Sequence, residues 1–344
     1  MYEYLPWSKQ VLDKAYIDYQ SGNFSIIDAE LGGICNLNCI YCDSPDRNKK
    51  SLSVDIIKKL LDTKQFEWLF ICGLGEPAYG ENKVQLIELL KSCRKNNVKC
   101  SMFTNLINFD EELFSYIELD VLYIMFKLDS FDENKLKLLY GNPNINYKDI
   151  LNKIEQIASY VKIKDNCTNI CASIVPTTIN YKELPEVIKF CMSKNIFPLI
   201  GDLEDSGKGQ NVYKKLKLSN EQLKIIKKEL SNDYKIPICP SVLFGIHILY
   251  NGIVAVDKST GLSCHWFWLT EPKIKYFKNI RDYQNIEELT KEIINYRITK
   301  IDYLNKLIPN IDDLIFGGCG GNIKELLKFY LSIHGNFKEN NLKK

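Results

Sequence analysis

Six short, apolar, β-branched runs lie in the first two hundred residues, at 25–31, 69–72, 99–103, 121–128, 170–175 and 197–200. Between them come stretches whose apolar residues recur at helical spacing, at 54–61, 84–96, 111–117, 135–140, 150–160 and 184–193. Strands that alternate with helices this way pair in parallel, because each helix carries the chain back across the sheet. Eight such units close a barrel of the triosephosphate isomerase type. Six predict an α/β fold built as a partial (βα)6 TIM-like barrel, open on one side.

The pattern changes after the sixth run. An acidic, Gly-containing loop at 202–209 leads to a helix at 219–231, with Ser219 as its N-cap. Runs at 244–250 and 253–256 flank Asn251-Gly252, a dipeptide that favours the tight turn of a β-hairpin. Helical stretches follow at 286–299 and 323–333. The expected segments are therefore an N-terminal extension (1–22), the partial barrel (23–215), a bridging helix (216–235), a small hairpin-containing module (236–322), and a C-terminal helix and tail (323–344).

Charge and cysteine content narrow the function classes. Forty-five Lys and Arg against 43 Asp and Glu leave a formal charge of +2, which gives no electrostatic case for nucleic acid. No targeting segment opens the chain, and no run approaches the roughly 18 apolar residues of a membrane span. A cytoplasmic location without membrane attachment is expected. Twelve cysteines in a reducing compartment point to metal ligands or buried apolar positions before disulfides.

Three of them, Cys35, Cys39 and Cys42, follow the first run at spacing C-x3-C-x2-C. Thiolates on one loop can each take a corner of a 4Fe-4S cubane and leave the fourth iron open to chelate an amine and a carboxylate. A structural zinc loop would need a fourth Cys or His nearby, and a ferredoxin loop would need C-x2-C-x2-C followed by another Cys. Neither spacing fits. The triplet, the aromatic Tyr41 before its last cysteine, and its place after the first strand resemble the radical S-adenosylmethionine (radical SAM) superfamily. That resemblance implies reductive cleavage of S-adenosylmethionine to methionine and a 5′-deoxyadenosyl radical, with reduced flavodoxin or ferredoxin as electron donor.

Further motifs follow in the superfamily's order. Gly73-Leu74-Gly75-Glu76-Pro77 resembles its Gly-Gly-Glu turn, in which a glycine-rich backbone meets the methionine amine. Leu74 between the glycines is a departure. Tyr41, Gly73, Gly75, Glu76, Thr104, Asn105, Lys127, Asp129, Ser130 and Ser173 stand where the resemblance implies contacts to S-adenosylmethionine. Ile200 stands where an apolar residue packs on adenine.

In the second half, Cys239 precedes the hairpin, Cys264 follows it, and Cys319 sits among glycines at 317–321. This arrangement resembles the auxiliary-cluster modules called Twitch and SPASM and implies a second 4Fe-4S cluster on these three cysteines. Two departures stand out: no thiol follows the hairpin glycine, and Cys319 lacks the C-x2-C partner. The remaining cysteines read as core. Cys72 and Cys171, if they face the barrel interior, are candidate hydrogen-atom donors to a substrate radical.

Relatives with auxiliary clusters divide into peptide or protein maturases and small-molecule enzymes acting on sugars or aminocyclitols. Only 24 residues precede the first run, so the N-terminal leader-recognition domain of many peptide maturases is expected to be absent. Peptide or protein side-chain modification, of maturase or epimerase type, is the preferred reading. A small-molecule dehydrogenase or epimerase is the alternative. A non-catalytic iron–sulfur electron carrier would leave the 73–77 turn and the six βα units without a purpose.

Overall fold

The computed structural model describes residues 2–42, 54–72, 75–203, 205, 207–230, 234, 237–257, 262, 274–283, 285–307, 328–329 and 331–332. The chain enters through a two-residue strand, β1 (Glu3–Tyr4), and helix α1 (Lys9–Gln20). The alternating region then runs β2 (Ile26–Ala29), α2 (Val54–Asp62), β3 (Trp68–Ile71), α3 (Gly80–Asn96), β4 (Lys99–Thr104), α4 (Glu111–Glu118) and β5 (Leu122–Lys127). It continues through α5 (Glu133–Tyr140), α6 (Tyr147–Ala158), β6 (Ile163–Lys164), β7 (Cys167–Thr168), β8 (Ile170–Ile174), α7 (Leu184–Ser193) and β9 (Phe197–Ile200). Each of the six apolar runs is a strand, and β2, β3, β4, β5, β8 and β9 lie side by side in parallel.

Beyond β9 come α8 (Tyr213–Leu216), α9 (Asn220–Glu229), α10 (Pro240–Phe244), β10 (Gly245–Ile248), β11 (Ile253–Asp257), β12 (Ile274–Asn279), α11 (Ile286–Ile298) and α12 (Ile301–Leu307). Ser219 caps α9 in a full capping box with Gln222. The hairpin turns at Gly252, whose φ of +81° suits the residue after Asn251. Its first strand does not start a separate sheet. β10 pairs in parallel with β2, Gly245 beside Ile26 and His247 beside Asp28, and β11 and β12 extend the same sheet to nine strands. The β2 edge is thereby covered by chain from the far end of the sequence, which leaves its backbone groups paired.

Register divides the parallel strands into two chemically different faces. Cys100 of β4 meets Cys93 of α3, so the face shared by Ile27, Leu69, Cys100, Leu122, Ile124 and Ile170 looks toward helices. The opposite, inner face carries Asp28, Ser101, Lys127, Ser173 and His247 among Phe70, Phe103, Tyr123 and Met125. Polar groups on the inner face of a sheet otherwise built for burial mark where a ligand must go.

The N-terminal residues floor that inner face. The Tyr4 hydroxyl lies 3.0 Å from Ser101 Oγ, and the Trp7 ring sits 6.3 Å from that of Phe103. β1 is held there by parallel pairing with β7. On the outside, the fully buried Arg297 of α11 lies over the rings of Tyr19 and Phe24 and donates to Leu243 O, tying the C-terminal helices to α1 and α10.

If Tyr4 is a packed floor, Y4A costs about 3 kcal/mol or more of unfolding free energy, while Y4F, which loses only the Ser101 contact, costs about 1 kcal/mol. Urea denaturation of both variants measures the split.

Candidate active site

The cysteine loop leaves β2 at Ala29 and is clamped from three sides. On the first side, the buried Asn82 of α3 aims its side-chain amide at three carbonyls, Gly32 O (3.1 Å), Ile34 O (3.2 Å) and Glu76 O (3.1 Å). Gly75, at φ +76°, lies so close beneath the loop that a Cβ there would fall 2.4 Å from both Gly32 O and Ile34 O. Only glycine fits. Glu76 N donates to Ile34 O at 2.8 Å. The Glu76 carboxylate is buried and accepts from Thr104 Oγ (2.7 Å), Asn105 N (2.7 Å) and Ala78 N (3.1 Å). Burial raises its pKa to about 7, against the pull of those donors. Asn105 then reaches Asn36 Oδ1 of the cysteine loop at 2.7 Å.

The second side is the C-terminus of α5. Its last carbonyls, which lack helical partners, accept loop amides: Asn38 N to Tyr140 O at 2.9 Å and Ile40 N to Leu139 O at 3.0 Å. Gly141 ends the helix at φ +57°, and a Cβ there would lie 2.2 Å from Asn38 O. The third side is the segment after β9, where Lys208 N donates to Cys42 O at 2.8 Å and its ammonium to Asn38 Oδ1.

Cys35 and Cys42 are half-buried and Cys39 is buried. Burial pushes the Cys39 thiol up to about 12, and the Lys127 ammonium pulls the other way. Lys127 stands 4.7 Å from the centre of the Tyr41 ring, 5.9 Å from that of Tyr140, and 3.8 Å from Asp129 Oδ2. Tyr41 donates its hydroxyl to Asp129, whose other oxygen accepts Val175 N at 2.7 Å. Lys127 and Ser173 are register partners on the inner face, both half-buried.

The other expected contact residues lie as follows. Ser130 is fully buried, with its hydroxyl bonded to Glu183 and to Asp132 N, so it braces the start of α5. Ile200 is fully buried and shares the face of Ile174, opposite to Leu199, so it packs under helices. Asp129, Glu76 and Thr104 are braces whose polar atoms are already engaged. Cys171 does lie on the inner face, beside Met125 and Phe197, but at full burial near the Tyr4 floor. Gly73, Cys264 and Cys319 fall outside the described residues.

The superfamily profile for radical SAM proteins matches residues 30–191. Residues 30–191 form a radical SAM domain. An uncharacterized protein of Methanocaldococcus jannaschii, MJ0804, is 31% identical over 133 residues, 38% of this chain and 43% of that protein, so the match spans less than half of the relative's length. Among solved structures, Streptococcus suis SuiB bound to the precursor peptide SuiA superposes at a TM-score of 0.53 and 14% identity, covering 79% of this chain and 68% of SuiB. The enzyme anSMEcpe with bound AdoMet and Kp18Cys peptide gives 0.56 and 14%, covering 87% of this chain and 89% of that one. At these identities the likeness is one of fold.

The radical SAM family implies a 4Fe-4S cluster and S-adenosylmethionine, and the cysteine loop suits them. A cubane spreads its ligands over separate corners, and the three cysteines follow one another on a single loop. Thiolates are the soft ligands iron–sulfur clusters take, and the clamps leave all three thiols on the same rigid turn. With Glu76 turned into the clamp, Lys127 and Ser173 are the expected contact residues that stand half-buried on the inner face.

Sequence reasoning passed over Asn82, Gly141 and a buried ionic cluster beside the loop. Asp28 on β2 and Glu30 just after it face His247 of β10, with Asp28 Oδ2 at 3.6 Å from Nδ1 and Glu30 Oε1 at 3.7 Å from Nε2. The available signal was an acidic pair inside an apolar run, since carboxylates are seldom buried without a cation. Burial alone would lower the His247 pKa, but the two carboxylates hold it up to about 10.

Two outcomes follow. N82A and G141A, which unclamp the loop from opposite sides, each lose more than half of the iron that the Cys35, Cys39 and Cys42 turn takes up in the wild type after anaerobic reconstitution, measured per folded chain as the excess over the C35A/C39A/C42A variant. His247 gains its proton more tightly on folding than its ordinary value of about 6.5, so its stabilisation is complete below about pH 6.5 and is lost as the pH climbs through about 10. Urea midpoints of the wild type fall across that window more steeply than those of H247Q.

Proposed function

We propose that this chain reductively cleaves S-adenosylmethionine and directs the 5′-deoxyadenosyl radical at an unactivated C–H bond of a peptide or protein side chain. The observation that carries the proposal is the clamped turn of Cys35, Cys39 and Cys42 at the carboxyl ends of parallel strands, with a polar inner face beneath it. When bound, the cluster supplies the electron that cleaves the sulfonium and an open iron for the methionine end. In this reading Lys127 pairs with the methionine carboxylate, and its position over the Tyr41 and Tyr140 rings supports the assignment. Ser173, beside it on the inner face, offers a hydroxyl to the ribose. Tyr41 and Asp129 hold the floor of the turn, and the apolar residues around them keep water from the site.

The peptide substrate is supported by the breadth of the fold match to anSMEcpe, which carries a bound peptide and whose likeness spans both halves of this chain. In the same reading, Cys239, Cys264 and Cys319 hold an auxiliary 4Fe-4S cluster. Cys239 fits as the buried first residue of that set, at the N-terminus of α10 and 3.1 Å from Ser241 Oγ. A reduced flavodoxin or ferredoxin is the proposed electron donor.

Anaerobic reconstitution followed by incubation with S-adenosylmethionine and dithionite tests the reading. The wild type forms 5′-deoxyadenosine and binds about eight irons per chain, and the C35A/C39A/C42A variant forms none and binds about four. About four irons in the wild type would remove the auxiliary cluster. No 5′-deoxyadenosine from iron-loaded wild type would overturn the proposed reaction.

A further inference from the structure

The chain is close to neutral as a whole, with a formal charge of +2, yet one stretch of it is strongly basic. Between 208 and 228, from the segment after β9 to the last turn of α9, stand seven lysines and a single acid, Glu221. Lys214, Lys215, Lys217, Lys224, Lys227 and Lys228 are exposed, and none of them forms an ion pair among the described residues. Elsewhere on the barrel's helices lysines find carboxylates: Lys58 meets Glu88, Lys83 meets Asp110, Lys95 meets Asp62 and Lys189 meets Glu229. Lys217 and Lys227 are partly balanced by Asp202. Lys214, Lys215, Lys224 and Lys228 carry the rest of the field. Lys224 and Lys228 stand one helical turn apart, a like-charge spacing that weakens a helix.

The place of this field in the fold gives it a use. Its first lysine, Lys208, touches the cysteine turn through its backbone N–H to Cys42 O at 2.8 Å and through its ammonium to Asn38 Oδ1. Its far end, α9, packs on α7 beside β9, the last strand of the sheet. The lysines therefore follow the side on which the sheet stays open. That edge does not invite a further strand. Gly201 N donates inward to Ile174 O, so alternation turns Pro198 and the Ile200 N–H outward. Pro198 has no N–H to give, and that of Ile200 is held by the Tyr234 hydroxyl at 3.2 Å. A chain that approaches here is recognised by its side chains. Ile225 of α9 and Met192 of α7 are both exposed and add apolar contacts on the same pair of helices.

Resting on the peptide reading above, we infer that the lysine face from α8 to α9 is the docking surface for an acidic segment of the substrate peptide. Exposed ion pairs are weak one at a time, so several carboxylates along one chain must engage together, and salt screens them. Such a surface speeds encounter and rejects basic chains more than it adds affinity. The substrate class is then a peptide that carries a run of Asp or Glu near the residue to be modified, which reaches the inner face past the end of β9.

The probe is a fluorescein-labelled peptide of alternating Glu and Gly, with a benzophenone at its other end, titrated with iron-loaded protein and read by fluorescence anisotropy. The wild type binds it, binds the Gln-Gly counterpart far more weakly, and loses the difference at high salt. K214E/K215E/K224E/K228E weakens binding about tenfold, whereas K59E/K64E/K91E/K164E, which changes the charge equally at exposed lysines elsewhere, weakens it less than about twofold. Photolysis places the crosslinks within 207–229. Equal losses in the two variants, or crosslinks to other segments, overturn the surface. An oligothymidylate of the same charge that binds more tightly than the Glu peptide overturns the peptide class. Slower cluster reduction by reduced flavodoxin in the α8–α9 variant, with peptide binding and dithionite reduction unchanged, overturns the proposal in favour of an electron carrier. Anisotropy is read without S-adenosylmethionine or reductant, so a failure to form 5′-deoxyadenosine overturns the reaction proposed above and not this surface.

Discussion

Everything at the site depends on how the backbone of the cysteine turn is held. A loop that must offer three sulfurs to a cluster cannot also satisfy its backbone with regular secondary structure, yet its amides and carbonyls lie among buried groups. The protein meets this with partners from outside the loop. Asn82 takes carbonyls on one flank, and the terminal carbonyls of α5 take amides on the other. Gly75 and Gly141 are the positions where that clamping draws the neighbouring backbone closer than any side chain allows.

The glycine-rich turn gains a second meaning from this arrangement. Its glutamate is buried and joins the ends of β3 and β4 through Thr104 and Asn105. Asn105 carries the connection on to Asn36 in the cysteine loop. Three successive strand ends are thus linked by hydrogen bonds among side chains that a motif comparison assigns to ligand binding.

Much of the barrel was legible because periodicity and turn chemistry are local. The six apolar runs, the Ser219 cap and the Asn251-Gly252 turn each declare themselves within a few residues, and the cysteine spacing is a local signal too. What stayed hidden depends on register and on distant pairing. Ile200 and Leu199 differ by one residue and therefore face opposite sides of the sheet. Ser130 reads as a free hydroxyl until Glu183, 53 residues away, claims it. The N-terminal floor and the docking of β10 on β2 rest on contacts between chain ends, and His247 looks like an isolated histidine until Asp28 and Glu30 are seen beside it.

The pairing of β10 with β2 also bears on how the protein is made. During synthesis the strand that feeds the cysteine loop emerges first, and its partner on one side arrives more than two hundred residues later. Until then β2 presents an open edge, and Asp28 and Glu30 wait without their imidazolium. The nascent domain is therefore held short of its final form by its own chain order. A chain released before the hairpin is made therefore carries an exposed edge into the pool that chaperones and proteases survey.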